Sequence, residues 1–320
     1  MLNIFQDKLK ECRNILKNNP NDIKARASIN FIYNIIFDNN LVWFDDYLEE
    51  ESNVLYLQKY LYLFKLVEEV SKRNKLAKYN VSNYKYLSKK DLLELVCDFY
   101  KNGTNKEFYE LFLRMLKNNE IILYKNKKDS FDAFSIFWQY SNEFNAVIHC
   151  SNYGNNNDFN YVPIIVHEIG HGIDALINYH ISFQQENYIY AEIISTFFEL
   201  ICNEYFYHSE FKKDSISFSC EYFNDINSKA KILNNYNIFE QYMENPINYF
   251  PYIVAFSISL ELLMVYKQDK DKSLYLVKKI IEIPKFLTPE EYYKRILNLG
   301  IIPNNTLDKY ENILKRQLKT

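Results

Sequence analysis

The sequence predicts a mostly α-helical protein with one small antiparallel β-sheet, and three observations favour this fold class. The chain of 320 residues contains only 5 Gly and 7 Pro, too few turn residues for the many hairpins of a β-sandwich or barrel. Apolar residues recur three and four positions apart over most of its length. Hydrophobic residues make up 48% and charged residues 25%, which is typical of a folded globular protein with a substantial core.

Residues 1–119 are expected to form an N-terminal lobe of stacked amphipathic helices. Apolar residues recur there with helical spacing, and Lys, Glu and Asn fill the positions between them. Ser88 and Asp91 have the spacing of a capping box for the helix that follows. The second predicted region covers residues 120–320.

The sequence between residues 120 and 151 predicts strands. Three short β-branched and aromatic runs, IILYK, FSIFWQY and NAVIHC, are separated by polar stretches that resemble turns. These runs predict two or three antiparallel strands immediately before a distinctive helix. After residue 160 the helical spacing returns and continues to the end of the chain.

The segment VPIIVHEIGHGIDALINYH predicts a largely buried helix that carries a metal-binding motif. His167, Glu168 and His171 form its H-E-x-x-H pattern. Because four residues advance an α-helix by about 400°, both imidazoles lie on one face and can reach one ion. Glu168 lies beside them, where it can accept a proton from an activated water instead of ligating the ion. The alternative, a surface histidine pair, fits the apolar flanking residues poorly.

A catalytic zinc ion requires a third protein ligand and an open position for water. The downstream candidates are Glu186, Glu192, Glu199 and Glu204. Glu192 stands out because it has apolar neighbours in EIISTFFE, where Glu192, Ser195 and Glu199 share one helical face. An ion pair or a solvated face would also account for Glu199. Asp174 and Ile177 stand where a metzincin has Gly and His, which excludes that class.

Two segments, HEIGHGID and AEIISTFFE, resemble the zinc site of oligoendopeptidase F and of the wider thimet oligopeptidase family. The metal helix of that family reads H-E-x-G-H, and its second helix reads roughly E-x-x-S-x-x-x-E. The preceding strands resemble those of the family, and the segments NYFPYIVAFSISLELL and PKFLTPEEYYKRILNLGII resemble its tyrosine-bearing helix and its closing helices. The likeness covers the chain from about residue 120 onward. It implies a zincin-like metallopeptidase of the gluzincin type.

The resemblance implies a role for each matching residue of the two helices. It makes His167, His171 and Glu192 the ligands of one zinc ion and Glu168 the general base. Gly170 matches the glycine of the family, where a missing side chain lets the two helices approach closely.

The resemblance also implies a tyrosine that donates to the tetrahedral intermediate. Tyr252 matches that tyrosine, and Tyr249 is the second candidate. Asp174 stands where relatives often carry a third His, and it or Glu199 could orient a ligand histidine. No His follows His208, so the family's histidine near the tyrosines has no counterpart. The chain is also shorter than typical members, which implies a shortened N-terminal lobe.

Charge and cysteine content limit the expected partners. The net charge of -3 gives no global cationic field, so we expect no nucleic-acid partner. The N-terminus lacks the hydrophobic region of a signal peptide, and no apolar run is long enough to span a membrane, so we expect a cytoplasmic protein without a membrane partner. The 5 Cys are scattered and are expected to be reduced. The oligomeric state stays open.

These observations together predict a zinc-dependent endopeptidase that hydrolyses peptide bonds in oligopeptides. We expect a strand edge around residues 146–150 to pair with an extended peptide substrate. Two alternatives stay open. One is a narrowly selective protease that acts on a single protein target. The other is a non-catalytic, zinc-containing helical protein with a binding or regulatory role, although a purely structural site has no use for Glu168.

Overall fold

The structure is a computed structural model. It describes residues 11–12, 14–15, 85, 87–118, 120–124, 133–140, 143–151, 158–177, 190, 192–235, 249–284, 287 and 289–303. Most of the predicted N-terminal lobe, residues 1–119, lies outside these ranges, so its boundary stays a prediction.

Within residues 87–118, two helices and a π-helical turn precede the sheet. They are α1 (Lys89–Asp98), the π-turn (Phe99–Gly103) and α2 (Lys106–Lys117). The capping box predicted at the start of α1 is confirmed, because the Asp91 amide donates to Ser88 Oγ and the Ser88 amide donates to Asp91 Oδ2. Apolar residues of α1, the π-turn and α2 belong to the same buried core as the helices that follow the sheet.

Among the described residues, the sheet has three strands in the order β1-β3-β2, namely β1 (Ile121–Tyr124), β2 (Ala133–Tyr140) and β3 (Glu143–Ser151). The prediction of an antiparallel sheet is wrong for one of its two pairings. β2 and β3 are antiparallel, with Tyr140 opposite Glu143, whereas β1 and β3 are parallel, with Ile121 opposite Ile148. Two residues separate β2 from β3, which suits a hairpin, but eight residues separate β1 from β2 and leave the direction of β1 open.

The predicted substrate edge at residues 146–150 is also wrong for residues 148–150, which pair with β1 as well as with β2. These residues lie in β3, the central strand, which pairs with β2 on one side and with β1 on the other. Within the described sheet, the outer strands are β1 and β2.

Six helices follow the sheet in the described part of the chain, which confirms the prediction of a mostly α-helical chain. They are α3 (Tyr161–Ile177), α4 (Ile193–Tyr207), α5 (Lys212–Asn235), α6 (Phe250–Gln268), α7 (Lys270–Ile281) and α8 (Pro289–Asn298). Helix α3 packs against β2 and β3 and also against α4. None of the described helices is long and apolar enough to cross a membrane.

Helices α4 and α6 lie side by side in the core and run in the same direction. Ser259 of α6 donates to the Ile193 carbonyl at the start of α4 over 2.9 Å. Near the other end of both helices, Lys267 of α6 lies 2.7 Å from the Glu204 carboxylate of α4. Both helices bury apolar residues on most sides, so their polar residues require specific partners.

Candidate metal centre

Helix α3 places two imidazoles side by side, as the H-E-x-x-H spacing predicts. His167 and His171 lie one turn apart, and the centroids of their rings are 5.0 Å apart. Both side chains are largely buried, with 13% and 17% exposed. The apolar residues on either side of them pack into the core. The surface histidine pair considered as an alternative is therefore not what the structure contains.

Glu192 brings a carboxylate from the start of α4 to both imidazoles. Its Oε2 lies 3.1 Å from Nε2 of His167 and 3.3 Å from Nε2 of His171. One ligand atom from each of these three residues lies within 4.8 Å of the other two. Two imidazole nitrogens and one carboxylate oxygen are the donor set that catalytic zinc takes in several enzymes, so the residues fit the predicted ion.

Glu199 contacts the other nitrogen of His167. The Nδ1 atom of His167 lies 2.9 Å from Oε2 of Glu199, whose side chain is 6% exposed. A carboxylate can only accept, so Nδ1 donates to Glu199, while Nε2 faces the second carboxylate, that of Glu192. This is the arrangement in which a carboxylate orients a metal-binding histidine. Of the two residues proposed to orient a ligand histidine, Glu199 makes this contact with His167.

The electrostatics of the four side chains follow from their burial and mutual proximity. Burial alone would lower the pKa of His167, but the Glu199 and Glu192 carboxylates outweigh it and hold the pKa well above its usual range. Burial alone would raise the pKa of Glu192, but the imidazoles of His171 and His167 outweigh it and hold the pKa below its usual range. Two largely buried carboxylates thus lie against the two imidazoles.

Gly170 allows α3 and α4 to approach closely enough for these contacts. A Cβ atom at Gly170 would lie 2.7 Å from Cα of Ser195, too close for any side chain without a backbone shift. The Ser195 hydroxyl in turn donates to the Glu192 carbonyl over 3.0 Å and lies 3.3 Å from Glu192 Oε2. The expectation that this glycine lets the two helices approach closely is confirmed. The same turn of α4 that meets Gly170 also orients the candidate ligand.

Glu168 and Asp174 lie on the same helix, α3, as the two histidines. In the sequence, Glu168 stands between His167 and His171, and Asp174 follows both. Glu168 is buried, with 8% of the residue exposed, and follows His167 directly. Asp174 is half-buried and lies three residues after His171. The position of Glu168 beside the imidazoles is compatible with the predicted general base, and that role stays a prediction.

The two predicted tyrosines lie at the start of α6. Tyr249 precedes the helix as its N-cap, and Tyr252 is half-buried in its first turn. Ser259 follows Tyr252 by seven residues, or two helical turns, and therefore marks the same face, which contacts α4. Because α4 and α6 run in the same direction, Tyr252 lies beyond the end of α4 that carries Glu192.

Of the remaining downstream glutamates, Glu204 does not join the centre. Glu204 lies three turns beyond Glu192 on α4 and pairs with Lys267 at 2.7 Å and with His208 at 3.3 Å. Glu186 lies outside the described residues.

Sequence reasoning missed Tyr222, which projects from α5 towards the same part of α4. Burial and the Glu199 carboxylate raise the pKa of Tyr222 well above its usual range, while a hydrogen bond with Thr196 lowers it. Tyr222 is one of 29 tyrosines in the chain, and it belongs to no motif. Nothing in the spacing of residues could have marked it.

No protein-family model matches the sequence, and no curated protein matches it. Three crystal structures share its fold. A Bacillus anthracis protein described as an oligoendopeptidase F has a TM-score of 0.61 and 15% identity, over 83% of this chain and 55% of that chain. A peptidase structure from Chlamydophila abortus has a TM-score of 0.54 and 16% identity, over 81% and 55%.

The third structure, also described as an oligoendopeptidase F, has a TM-score of 0.59 and 13% identity, over 81% of this chain and 56% of the other. The chain thus spans about half the length of the structures that it matches. The predicted likeness to oligoendopeptidase F is confirmed at the level of the fold.

Proposed function

We propose that the chain is a zinc-dependent endopeptidase that hydrolyses peptide bonds in oligopeptides. The observation that carries this proposal is the convergence of His167, His171 and Glu192 from two helices, with ligand atoms within 4.8 Å of one another. The fold shared with oligoendopeptidase F structures supports the same conclusion. A protein that used the ion for structure alone would have no need of a buried glutamate at position 168, the residue that follows the first candidate ligand.

His167, His171 and Glu192 would hold the ion, and Glu199 would fix the orientation of the His167 ring through Nδ1. When bound, a zinc ion supplies Lewis acidity, which favours deprotonation of water and polarises the scissile carbonyl. Three protein ligands leave room for water and substrate, which a catalytic site requires.

The protein's own residues carry the proton transfers. Glu168 takes a proton from the attacking water and later passes it to the leaving amine. Because water is the nucleophile, no covalent link to the protein forms. Tyr252 donates a hydrogen bond to the carbonyl oxygen as negative charge develops on it. Its place beyond the start of α4, the end that carries Glu192, is compatible with this role.

An extended peptide substrate requires a free strand edge or an equivalent row of backbone groups. Strand β2 is an outer strand of the described sheet, and it packs against α3. We therefore assign substrate pairing to β2 in place of residues 146–150 of the central strand.

The experiment that tests the proposal uses quenched peptide libraries of graded length with the purified full chain. We expect about one zinc ion per chain and broad cleavage of short peptides, abolished by a chelator and restored by zinc. Cleavage of a single protein, with no cleavage of the libraries, would instead establish a narrowly selective protease. Zinc without any cleavage would establish a non-catalytic zinc protein.

The variant Glu168→Gln separates catalysis from metal binding. We expect it to keep its zinc, because the amide replaces a group outside the ligand set, and to lose activity by roughly 100-fold or more, because the amide cannot take the proton. Zinc content and kcat measured on the same sample test this expectation. Full activity in Glu168→Gln would refute the assignment of the general base.

A further inference from the structure

We propose that Tyr222 is a further catalytic residue of this site, whose hydroxyl donates a hydrogen bond to the reacting carbonyl oxygen of the bound peptide. The inference rests on the proposed function. It adds a second donor, from α5, to the one that the resemblance assigns to Tyr252 on α6.

Helix α5 runs antiparallel to α4, which brings Tyr222 to the turn of α4 that carries the candidate centre. Near the start of α5, Ser215 and Ser219 both contact Asn203 of α4, at 2.7 Å and 2.5 Å between side chains. Tyr222 lies one turn further along α5, and it meets α4 beside Thr196 and close to Glu199. The path of α5 thus determines where Tyr222 lies.

Tyr222 faces the polar side of α4. Thr196 follows Glu192 by four residues and precedes Glu199 by three, so the three residues share one helical face. The Thr196 oxygen is fully buried, and among the described residues no hydrogen bond of normal geometry satisfies it. Tyr222 is close enough for the two hydroxyls to interact. A phenol therefore lies next to the face that holds the candidate metal ligand.

Helices α5 and α6 together form a wall that carries both tyrosines. The rings of Tyr222 and Phe256 have centroids 5.7 Å apart. The Lys229 ammonium lies 4.8 Å from the centroid of the Tyr252 ring. The later residue of α5, Lys229, contacts the earlier residue of α6, Tyr252. The earlier residue of α5, Tyr222, contacts the later residue of α6, Phe256. The two helices are therefore antiparallel. Tyr222 and Tyr252 therefore lie on the same wall.

Among the described residues, Thr196 is the side chain that interacts with the Tyr222 hydroxyl. Other tyrosines donate to fixed acceptors: Tyr100 to the Val166 carbonyl, Tyr205 to the Asp98 carboxylate and Tyr266 to the Gly103 carbonyl. Among the described residues, the Tyr222 hydroxyl has no comparable bond to a carbonyl or carboxylate. Its side chain is half-buried and packs against the core. If the Thr196 hydroxyl donates to the phenol oxygen, the phenol proton is available to a ligand.

Tyr222 is held in the form that can donate. A phenol ordinarily keeps its proton at neutral pH, so the hydroxyl can donate. A neutral donor is what an oxygen with developing negative charge requires beside the carboxylates of Glu192 and Glu199. The hydroxyl stabilises the transition state without giving up its proton.

The test compares Tyr222→Phe with the wild-type protein and with Tyr205→Phe, all loaded with zinc. Tyr205→Phe is a matched control because it also removes one hydroxyl, which bonds to Asp98 away from the candidate centre. We expect Tyr222→Phe to keep its zinc and to lose roughly 100-fold in kcat, the effect typical of one lost oxyanion donor. We also expect weaker binding of a phosphinic peptide, which mimics the tetrahedral state, by at least tenfold. Tyr205→Phe should match the wild type in all three measurements.

The outcomes separate this inference from the proposed function. If the wild type cleaves peptides and Tyr222→Phe stays within threefold of it in kcat and in phosphinic-peptide binding, the role of Tyr222 is wrong and the endopeptidase stands. Loss of zinc in Tyr222→Phe would also overturn the role, because the residue would then support the metal site. If the zinc-loaded wild type neither cleaves peptides nor binds the phosphinic peptide, both conclusions fail.

Discussion

His167 connects the candidate ligand Glu192 to Glu199, because each of its ring nitrogens faces a different carboxylate. Nε2 lies 3.1 Å from Glu192, and Nδ1 lies 2.9 Å from Glu199. When Nδ1 donates a hydrogen bond to Glu199, Nε2 is the ring nitrogen that can bind a cation. The contact also fixes the plane of the ring. It also increases the basicity of the imidazole towards a cation. Glu199 therefore affects metal binding without touching the metal.

We predict that Glu199→Gln weakens zinc binding by about tenfold, a loss typical of a removed partner of a metal-binding histidine. The amide keeps an oxygen that can accept from Nδ1 but removes the charge that makes the pair strong. Competition with a chromophoric chelator measures the affinity. Glu204→Gln is the control, since Glu204 lies on the same helix and pairs instead with Lys267 and His208. Equal affinity in the two variants would show that Glu199 has no influence on the metal.

The contact between α3 and α4 is the structural element on which the centre depends. One helix supplies both imidazoles, and the other supplies Glu192 and Glu199. Their separation at this level is set by the absence of a side chain at Gly170, which faces the backbone of Ser195. Ser195 in turn holds the Glu192 carbonyl and lies close to its carboxylate. A small increase in the distance between the helices would thus displace a ligand.

We predict that Gly170→Ala destabilises the protein by about 1–3 kcal/mol, the usual cost of overpacking a core, and also weakens zinc binding. The added methyl group would lie 2.7 Å from Cα of Ser195, so the helices must move apart and take Glu192 with them. Denaturant unfolding and zinc competition provide the two measurements.

Gly300→Ala is the control for Gly170→Ala. Gly300 has a φ of +82° and no atom within 4 Å of an added Cβ. That variant should lose some stability through backbone strain and keep its zinc affinity. If Gly170→Ala loses stability but binds zinc normally, the spacing of the helices does not control the ligand.

The sequence predicts the contact between α3 and α4 better than it predicts the sheet or the position of Tyr222 on α5, for physical reasons. The i, i+4 spacing of His167 and His171 determines a shared face as soon as the segment is helical, and a carboxylate between apolar residues, as at Glu192, requires a partner. Strand direction depends on long-range pairing, which alternation of residues does not encode, so the parallel pairing of β1 was missed. The location of the Tyr222 side chain depends on the path of α5, and that path follows from tertiary packing alone.

On the scale of the whole molecule, the candidate centre connects elements that form the middle of the core. Helix α3 packs against the sheet and α4, while α4 packs against α5 and α6. An ion held by residues of α3 and α4 therefore joins the sheet side of the molecule to the helical side. Because ligands on two helices come together only in the folded chain, metal binding adds to the free energy of unfolding.

We predict that zinc raises the melting temperature of chelator-stripped protein, and that the increase grows from pH 6 to pH 8. Zinc at 100 times its dissociation constant contributes about 2.7 kcal/mol to the free energy of unfolding. In the stripped protein, despite burial, Glu199 and Glu192 raise the pKa of His167. The stabilisation from that protonated ring is complete below about pH 6.5, the usual pKa of histidine, and is lost as pH rises through the raised pKa.

Zinc requires the neutral ring, so it competes with the proton at His167 and gains as the proton leaves. Thermal unfolding at several pH values, with zinc and with chelator, measures the difference. His171→Ala is the control, because it removes one ligand and should abolish the response to zinc at every pH. A zinc-induced increase that is constant or larger at low pH would mean that His167 does not lose a proton when the metal binds.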